Sequence, residues 1–368
     1  MSSPSRGHGL ATIHDVARVA GVSRSTASRA LAGYGAVSAD AAERVLAAAA
    51  ELGYRANGVA RSMKTGRTNT LGAVLADIEN VFFAGALRGF TDVARANGFQ
   101  VILSNTDEDP VAEEAAVRVF QERRVDGMVV TPASLDESGH LRAANASGLP
   151  IVLLDRRIPG LAVDVVQIDN VKAGREATER LIAAGHNQIA MLTGVTHLDG
   201  PDAAGRLVHG TSTSRDRFEG YRQALTAAGI PVRPDYVRTG DFHLAGARQE
   251  AEVLLRLRDR PTAVFATDST NALGVLLALR DVGLAAPRDV SVVAFDDADW
   301  ADVVQPGLSV MAQPVYEMGR LAANRLVARV RGEQLRPKRH VVPTQWLARE
   351  SVGAPPRRRR AVRPVGTA

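Results

Sequence analysis

The 368-residue chain is long enough for two separately cored bodies, and it contains no cysteine, which excludes disulfides, thiolate metal sites and cysteine nucleophiles. Its formal charge of +5 is unevenly spread: residues 1–69 hold nine Lys and Arg against four Asp and Glu, the tail from Pro355 holds five arginines and no acid, and the long middle is acidic by five. A basic N-terminal part on an acidic body predicts that only the former meets a polyanion. The opening MSSPSRGHGL lacks an apolar core, and no stretch reaches the roughly eighteen apolar residues of a membrane span, so a soluble, unsecreted, cytoplasmic protein is expected.

The first elements lie in TIHDVARVAGVSRSTASRAL, which reads as two short helices around a tight turn. Thr12 and Asp15 make a capping-box start, and Ile13, Val16, Ala17 and Ala20 share one face. Gly21 supplies the positive φ that ends the first helix, and Ser23 caps the second. With Ala27, Ala30 and Leu31 turned inward, Arg24, Ser25, Ser28 and Arg29 project outward as they would on a recognition helix. Guanidinium forks suit the O6 and N7 acceptors of guanine, whereas hydroxyls serve phosphates or bases less selectively. A third helix from a cap at Ser38 to Leu52 is expected to complete this core with Val45 and Leu46.

From Leu71 onward, apolar runs alternate with helical patterns. Buried strands are predicted at 71–76, 99–103, 127–131, 151–155, 188–192, 262–266 and 290–295, and helices at 83–97, 110–123, 172–184, 215–228, 244–258 and 271–282. This is a doubly wound α/β pattern. More than six strands with a midpoint near residue 160 predict two similar lobes with a ligand cleft between them. The stretch from His197 to Ser214, rich in Gly, Asp, Ser and Thr, reads as an exposed loop, and PPRRRRAVRPVGTA as a disordered, solubilising tail.

Enzyme signatures are missing from the text. There is no G-x-G-x-x-G after a strand, no Walker loop, no H-E-x-x-H and no G-x-S-x-G elbow, and the eight histidines are scattered. No catalytic residue, metal or cofactor is therefore expected. A secreted sugar-binding transport protein would share the two-lobed body but would have no use for the N-terminal helices.

Several stretches, in order, resemble the lactose-repressor and galactose-repressor family of bacterial transcription regulators: ATIHDVARVAGVSRSTASRAL, VSADAAERVLAAAAELGYRANGVARSMKTGRTNTLG, NTDEDP, RRVDGMVV, GHNQIAMLTG, SVVAFDD and MAQPVYEMG. The resemblance implies a helix-turn-helix headpiece over residues 1–56, a hinge helix and linker over 57–69, and an effector-binding and dimerisation domain over 70–350 that is similar to periplasmic binding proteins. The basic tail follows at 351–368. It also implies a homodimer reading a pseudo-palindromic DNA operator, most simply as a repressor controlled by a sugar-like effector. Carried over residue by residue, the DNA-binding positions are Thr12, Ser23, Arg24, Ser25, Ser28, Arg29, Tyr54, Asn57, Met63 and Lys64. Met63 stands where the family has a leucine that wedges into the minor groove, and Ala27 and Ala30 stand where it usually has valines. The effector positions are Phe82, Phe83, Thr131, Asp155, Thr213, Arg217, Phe242, Thr267, Asp268, Asp296 and Gln313. Aromatic faces can cover an apolar ring surface while Asp, Arg, Thr and Gln bind hydroxyls. Asp155 and Asp296 could instead cap helices or form structural pairs, and Phe82 or Phe83 could belong to the core; for Arg217 and Asp296 the site is the preferred reading.

Overall fold

The computed structural model describes residues 11–32, 35–54, 67–194, 197–199, 206–209, 211–240 and 243–356. The chain divides into two compact units, residues 1–68 and 69–368.

The first unit contains α1 (Ile13–Val19), α2 (Arg24–Ala32) and α3 (Ala39–Glu51). Their core is small: Val16, Ala17, Ala20, Ala27, Val45, Ala48 and Ala49 are buried, and Ile13, Val22, Ala30, Leu31, Leu52 and Tyr54 pack partly against them. Leu46, expected in this core, is 57 % exposed instead. The helical period explains this, because Val45, Ala48 and Ala49 already fill the inward face and the next position turns out.

The second unit holds two parallel-dominated sheets. The first comprises β1 (Thr70–Leu75), β2 (Gln100–Asn105), β3 (Gly127–Val130), β4 (Ile151–Leu154), β5 (Asp164–Ile168) and β13 (Arg339–Val342), in the order β13-β5-β4-β3-β1-β2. The other comprises β6 (Ile189–Thr193), β9 (Val237–Thr239), β10 (Ala263–Ala266), β11 (Ser291–Phe295), β12 (Ser309–Ala312) and β14 (Gln345–Leu347), in the order β14-β12-β11-β10-β6-β9. Apart from the sixth strand, the two orders are the same doubly wound pattern used twice. Only β14 runs antiparallel to its neighbour within these sheets.

Each lobe is discontinuous in sequence. The chain passes from β5 through α7 (Asn170–Ala183) into the second lobe, returns after β12 through α12 (Val315–Val330) to β13, and crosses again to β14. In the first lobe, α12 packs on α4 (Val81–Ala96); in the second, α7 packs on α8 (Ser212–Ala227). Both helix pairs touch backbone to backbone. A Cβ on Gly220 would lie 2.2 Å from Val171 O, and one on Gly319 would lie 1.8 Å from Ala86 O. Asp164, fully buried, accepts from Arg329 at 2.6 Å and Arg325 at 3.1 Å, fastening α12 over β5.

All seven predicted strands and six predicted helices are present. The stretch expected as an exposed loop is different: β7 (His197–Asp199) pairs antiparallel with β8 (Arg206–His209), and Thr211 through Ser214 are buried. Asn57, Met63 and Lys64 of the expected hinge, Phe242, and the arginines of the tail lie outside the described residues.

Candidate functional site

In the N-terminal unit, the caps set which side chains remain free. Thr12 donates its amide to Asp15 at 3.0 Å and its hydroxyl at 2.7 Å, and these bonds, with one from Arg18, hold the Asp15 carboxyl down at about 2. Gly21 has φ +64°, and Arg44 on α3 donates to Ala20 O at 3.1 Å, closing the end of α1. Ser23 Oγ accepts from the Thr26 amide at 3.1 Å and starts α2. Thr12 and Ser23 are thus engaged in capping, and Tyr54 is half-buried against the core. Arg24 and Ser25 are exposed at the start of α2, and Ser28 and Arg29 are half-exposed one turn later. Arg29 Nε rests on Ser25 O at 3.3 Å. The result is a short helix whose accessible face carries two guanidiniums and two hydroxyls, backed by an alanine-rich core.

In the second unit, a partly open cavity lies between the carboxyl ends of the two sheets, where open α/β sheets bind their ligands. Nine of the effector positions expected from the sequence line it: Phe82, Phe83, Asp155, Thr213, Arg217, Thr267, Asp268, Asp296 and Gln313. Thr131, the residue after β3, is buried with its hydroxyl unpaired and is not among the lining residues.

Arg217 is the central cation. From the second turn of α8 its Nε donates to Asn170 Oδ1 at 2.8 Å and its Nη1 to Thr267 O at 2.5 Å, while the guanidinium lies 4.0 Å from the Phe295 ring centroid. Gly174 and Gly220 permit this, since they bring α7, which carries Asn170, against the backbone of α8. Arg217 is thus held by a side-chain amide, a carbonyl and an aromatic face, with no carboxylate clasping it, and it can present charge to the cavity.

Asp155 directly follows β4 and Asp296 directly follows β11, at matching positions of the two lobes, with φ of +65° and +67°. Non-glycine residues seldom adopt this left-handed conformation, and where they do the strain commonly marks a binding site. Asp155 Oδ1 is buried without a partner; Arg156 lies beside the carboxylate at 3.6 Å. Asp296 Oδ1 accepts from Gln313 Nε2 at 2.7 Å. Burial pushes the Asp155 and Asp268 carboxyls up and that of Asp296 to about 6, against the pull of Arg217. Asp268 has a second duty as N-cap of α10 (Ser269–Asp281), accepting from the Asn271 amide at 2.7 Å. Phe82 and Phe83 form an edge-to-face pair at 5.1 Å that belongs both to the lobe core and to the cavity wall.

Sequence reasoning missed Glu108, Arg156, Asn170, Thr211 and Ser214. Glu108, within NTDEDP, grips Arg156 bidentately at 2.5 and 2.6 Å and has a positive φ. Arg156 directly follows Asp155, so an acid-base doublet at a strand end was the available signal. An interlobe clasp was also invisible. Arg157 pairs bidentately with Asp216, one contact at 2.8 Å, and its amide donates to Ser212 Oγ at 3.0 Å.

Among the described residues, no group of His, Asp and Glu is placed to hold a metal ion, and no helix is long and apolar enough to cross a membrane. Residues 12–57 match the family described as bacterial regulatory proteins, lacI family, and residues 178–352 match a periplasmic binding protein-like domain. The chain is 35 % identical over 340 residues to the HTH-type transcriptional regulator RegA of Clostridium saccharobutylicum, covering 92 % of this chain and 98 % of that one. Among solved structures it is similar to a transcriptional regulator CelR–cellobiose complex (32 % identity, TM-score 0.68, 93 % of this chain and 99 % of that one). It is also similar to the Lac repressor dimer bound to operator and the anti-inducer ONPF (26 % identity, TM-score 0.80, 94 % and 100 %). A capped, basic helix-turn-helix ahead of a two-lobed body, matched over nearly its whole length by such regulators, leaves one conclusion: the chain belongs to the lacI family of bacterial regulatory proteins and is a sequence-specific DNA-binding transcription regulator.

Proposed function

We propose that this regulator is a cytoplasmic, homodimeric repressor whose hold on a pseudo-palindromic operator is set by a sugar-like effector bound between its lobes. In this reading residues 1–56 bind DNA, 57–69 link, 70–350 sense the effector and dimerise, and the basic tail follows. Arg24, Ser25, Ser28 and Arg29 meet base edges and phosphates in the major groove, while Asn57, Met63 and Lys64 act at the hinge, with Met63 as an apolar minor-groove wedge.

The observation that carries the sensing half is the junction of Arg217, from one lobe, with buried carboxylates from both, under the faces of Phe82 and Phe83. That set suits a ring with an apolar face and a polar rim, and the cellobiose-bound regulator among the similar structures supports it. An effector that touches both lobes favours one lobe arrangement. It shifts DNA affinity only by its difference in affinity between arrangements, on the order of 1–3 kcal/mol.

The test is selection of binding sites from a random duplex pool with the full chain, followed by release assays with a sugar panel and melting measurements on the same ligands. A two-fold-related site, and a sugar that both raises the melting temperature and changes operator affinity, are the expected results. An enriched site without two-fold symmetry would refute the dimer reading. A panel that changes neither melting nor DNA affinity would refute the sugar reading.

A further inference from the structure

We propose that the interlobe cleft rejects anionic effectors and that its preferred ligand is a polyhydroxylated ring carrying a protonated amine, an amino sugar as opposed to a sugar phosphate. The proposal rests on the sugar reading above and goes further in fixing the ligand's charge.

The first support is the charge balance of the wall. Among the described residues, five carboxylates (Asp77, Glu108, Asp155, Asp268, Asp296) face two guanidiniums (Arg156, Arg217). Arg156 is already spent: it grips Glu108 through both terminal nitrogens, and one of these also donates to Pro132 O at 2.9 Å. Arg156 Nε also lies 3.6 Å from Asp155, which leaves Arg217, among the described residues of the wall, as the counter-charge for Asp77, Asp268 and Asp296. Burial pushes Asp155, Asp268 and Asp296 toward their neutral forms even so. A phosphate ester, carrying about −1.5 to −2 charges at neutral pH, would add to this excess, whereas an ammonium would relieve it.

The second support is the kind of hydrogen-bonding atom left unused. Gln313 Nε2 is committed to Asp296, so the amide is oriented with Oε1 as a free acceptor. Oε1 of Gln313 and Oδ1 of Asp155 are buried without partners, and so is one donor of the wall, Arg156 Nε, which lies 3.6 Å from Asp155 Oδ2. The two oxygens call for N–H or O–H groups from a ligand.

The third support concerns helix N-termini, the usual seats for phosphate. At the cleft, Asp268 caps α10 with a carboxylate, Asn80 Oδ1 accepts from the Phe82 amide at the start of α4, and Thr211 accepts from the Ser214 amide at the start of α8. The amides an anion would use are partly taken, and one terminus already holds a negative charge.

The test uses the full chain and matched sets in gluco and galacto configuration: the hexose, its 2-amino form and its 6-phosphate, followed by calorimetry and melting at pH 7.5. The amine should bind about tenfold or more tighter than its parent sugar, as expected for a new charge-assisted bond, and the phosphate should give no shift. Asp155→Asn should erase the gap between amine and parent. A phosphate that binds as well as its parent, or an amine that binds no better, would overturn the proposal. A ligand-free arm separates this from the sugar reading. As the pH rises from 4 to 7.5, ligand-free Asp155→Asn should gain in melting temperature relative to wild type, because burial disfavours the ionised carboxyl that the amide replaces. A difference that does not change with pH refutes the acid excess. If hexose, amine and phosphate are all silent, the sugar reading and the amino-sugar proposal built on it both fall; a hexose that binds while its amine binds no better overturns the charge proposal alone.

Discussion

Asp296 offers a quantitative check on the electrostatics of the cleft, and Asp296→Asn is the cleanest perturbation because an amide keeps the shape and can still accept from Gln313. Burial lifts the carboxyl from 3.8 to about 6 in the folded chain. A folded value above the unfolded one means that the native state holds the proton more tightly. The associated stability is complete below pH ~4 and is lost as the pH rises through about 6. Two pH units at ~1.36 kcal/mol each place the cost of burying the ionised group near 3 kcal/mol at pH 7.5. For a body of roughly 300 residues this corresponds to about 5 °C in melting temperature. Ligand-free Asp296→Asn should therefore melt higher than wild type at pH 7.5, and the gap should close toward pH 4. Scanning calorimetry of both proteins between pH 4.5 and 8 reads this directly. Equal melting at pH 7.5, or a gap that does not change with pH, would refute the reasoning.

Arg217→Ala should leave operator affinity within a few-fold of wild type and abolish the effector response. Because its guanidinium also holds Asn170, Thr267 O and the Phe295 face, melting should fall by several degrees, and Arg217→Lys should not restore the response. Gly220→Ala drives a methyl toward Val171 O and Arg175 N, so it should cost at least the ~1–3 kcal/mol of an overpacked core and weaken effector binding by displacing Arg217; chemical denaturation and calorimetry measure the two effects. Arg29→Ala should cost ~1–3 kcal/mol on the selected operator and relax one symmetric base pair, whereas uniform weakening on all sequences would reassign it to phosphate. Met63→Ala should weaken specific binding more than non-specific binding and reduce the DNA bend; unchanged bending would place the wedge elsewhere.

The elements that were legible are those whose pattern is internal to the segment. IVLL and SVVAF are continuous apolar runs, and a strand buried on both faces needs nothing more. Thr12, Gly21 and Ser23 announce the small helices because caps are local chemistry. The failures share a different cause. β13 and β14 are four- and three-residue edge strands, half-exposed and defined by partners elsewhere in the sequence, in β5 for β13 and in β12 for β14. The stretch from Thr211 to Ser214 reads as solvated because it is all hydroxyls, yet those hydroxyls are buried where they line a polar cleft and cap a helix. Leu46 reads as core by composition and turns outward by helical phase. In the cleft, Arg217 and Asp296 were found through family motifs, while Glu108 and Arg156 were not, because their role comes from gripping one another across 48 residues.

The threefold crossing between lobes has a consequence for synthesis. The face of the first sheet that α12 covers is encoded by residues 70–168, but the helix that covers it is encoded by 315–330. On a ribosome adding about 5–20 residues per second, roughly 10–30 s separate the two. Throughout that interval Val129, Val152 and Leu154, buried in the finished protein, lack the helix that later shields them. The headpiece, whose three helices make their own core within 54 residues, has no such wait. A nascent chain can thus carry a finished DNA-reading module ahead of a half-built sensor. A message truncated before codon 315 would yield a fragment with the first and without the second, its uncovered sheet a natural substrate for proteolysis.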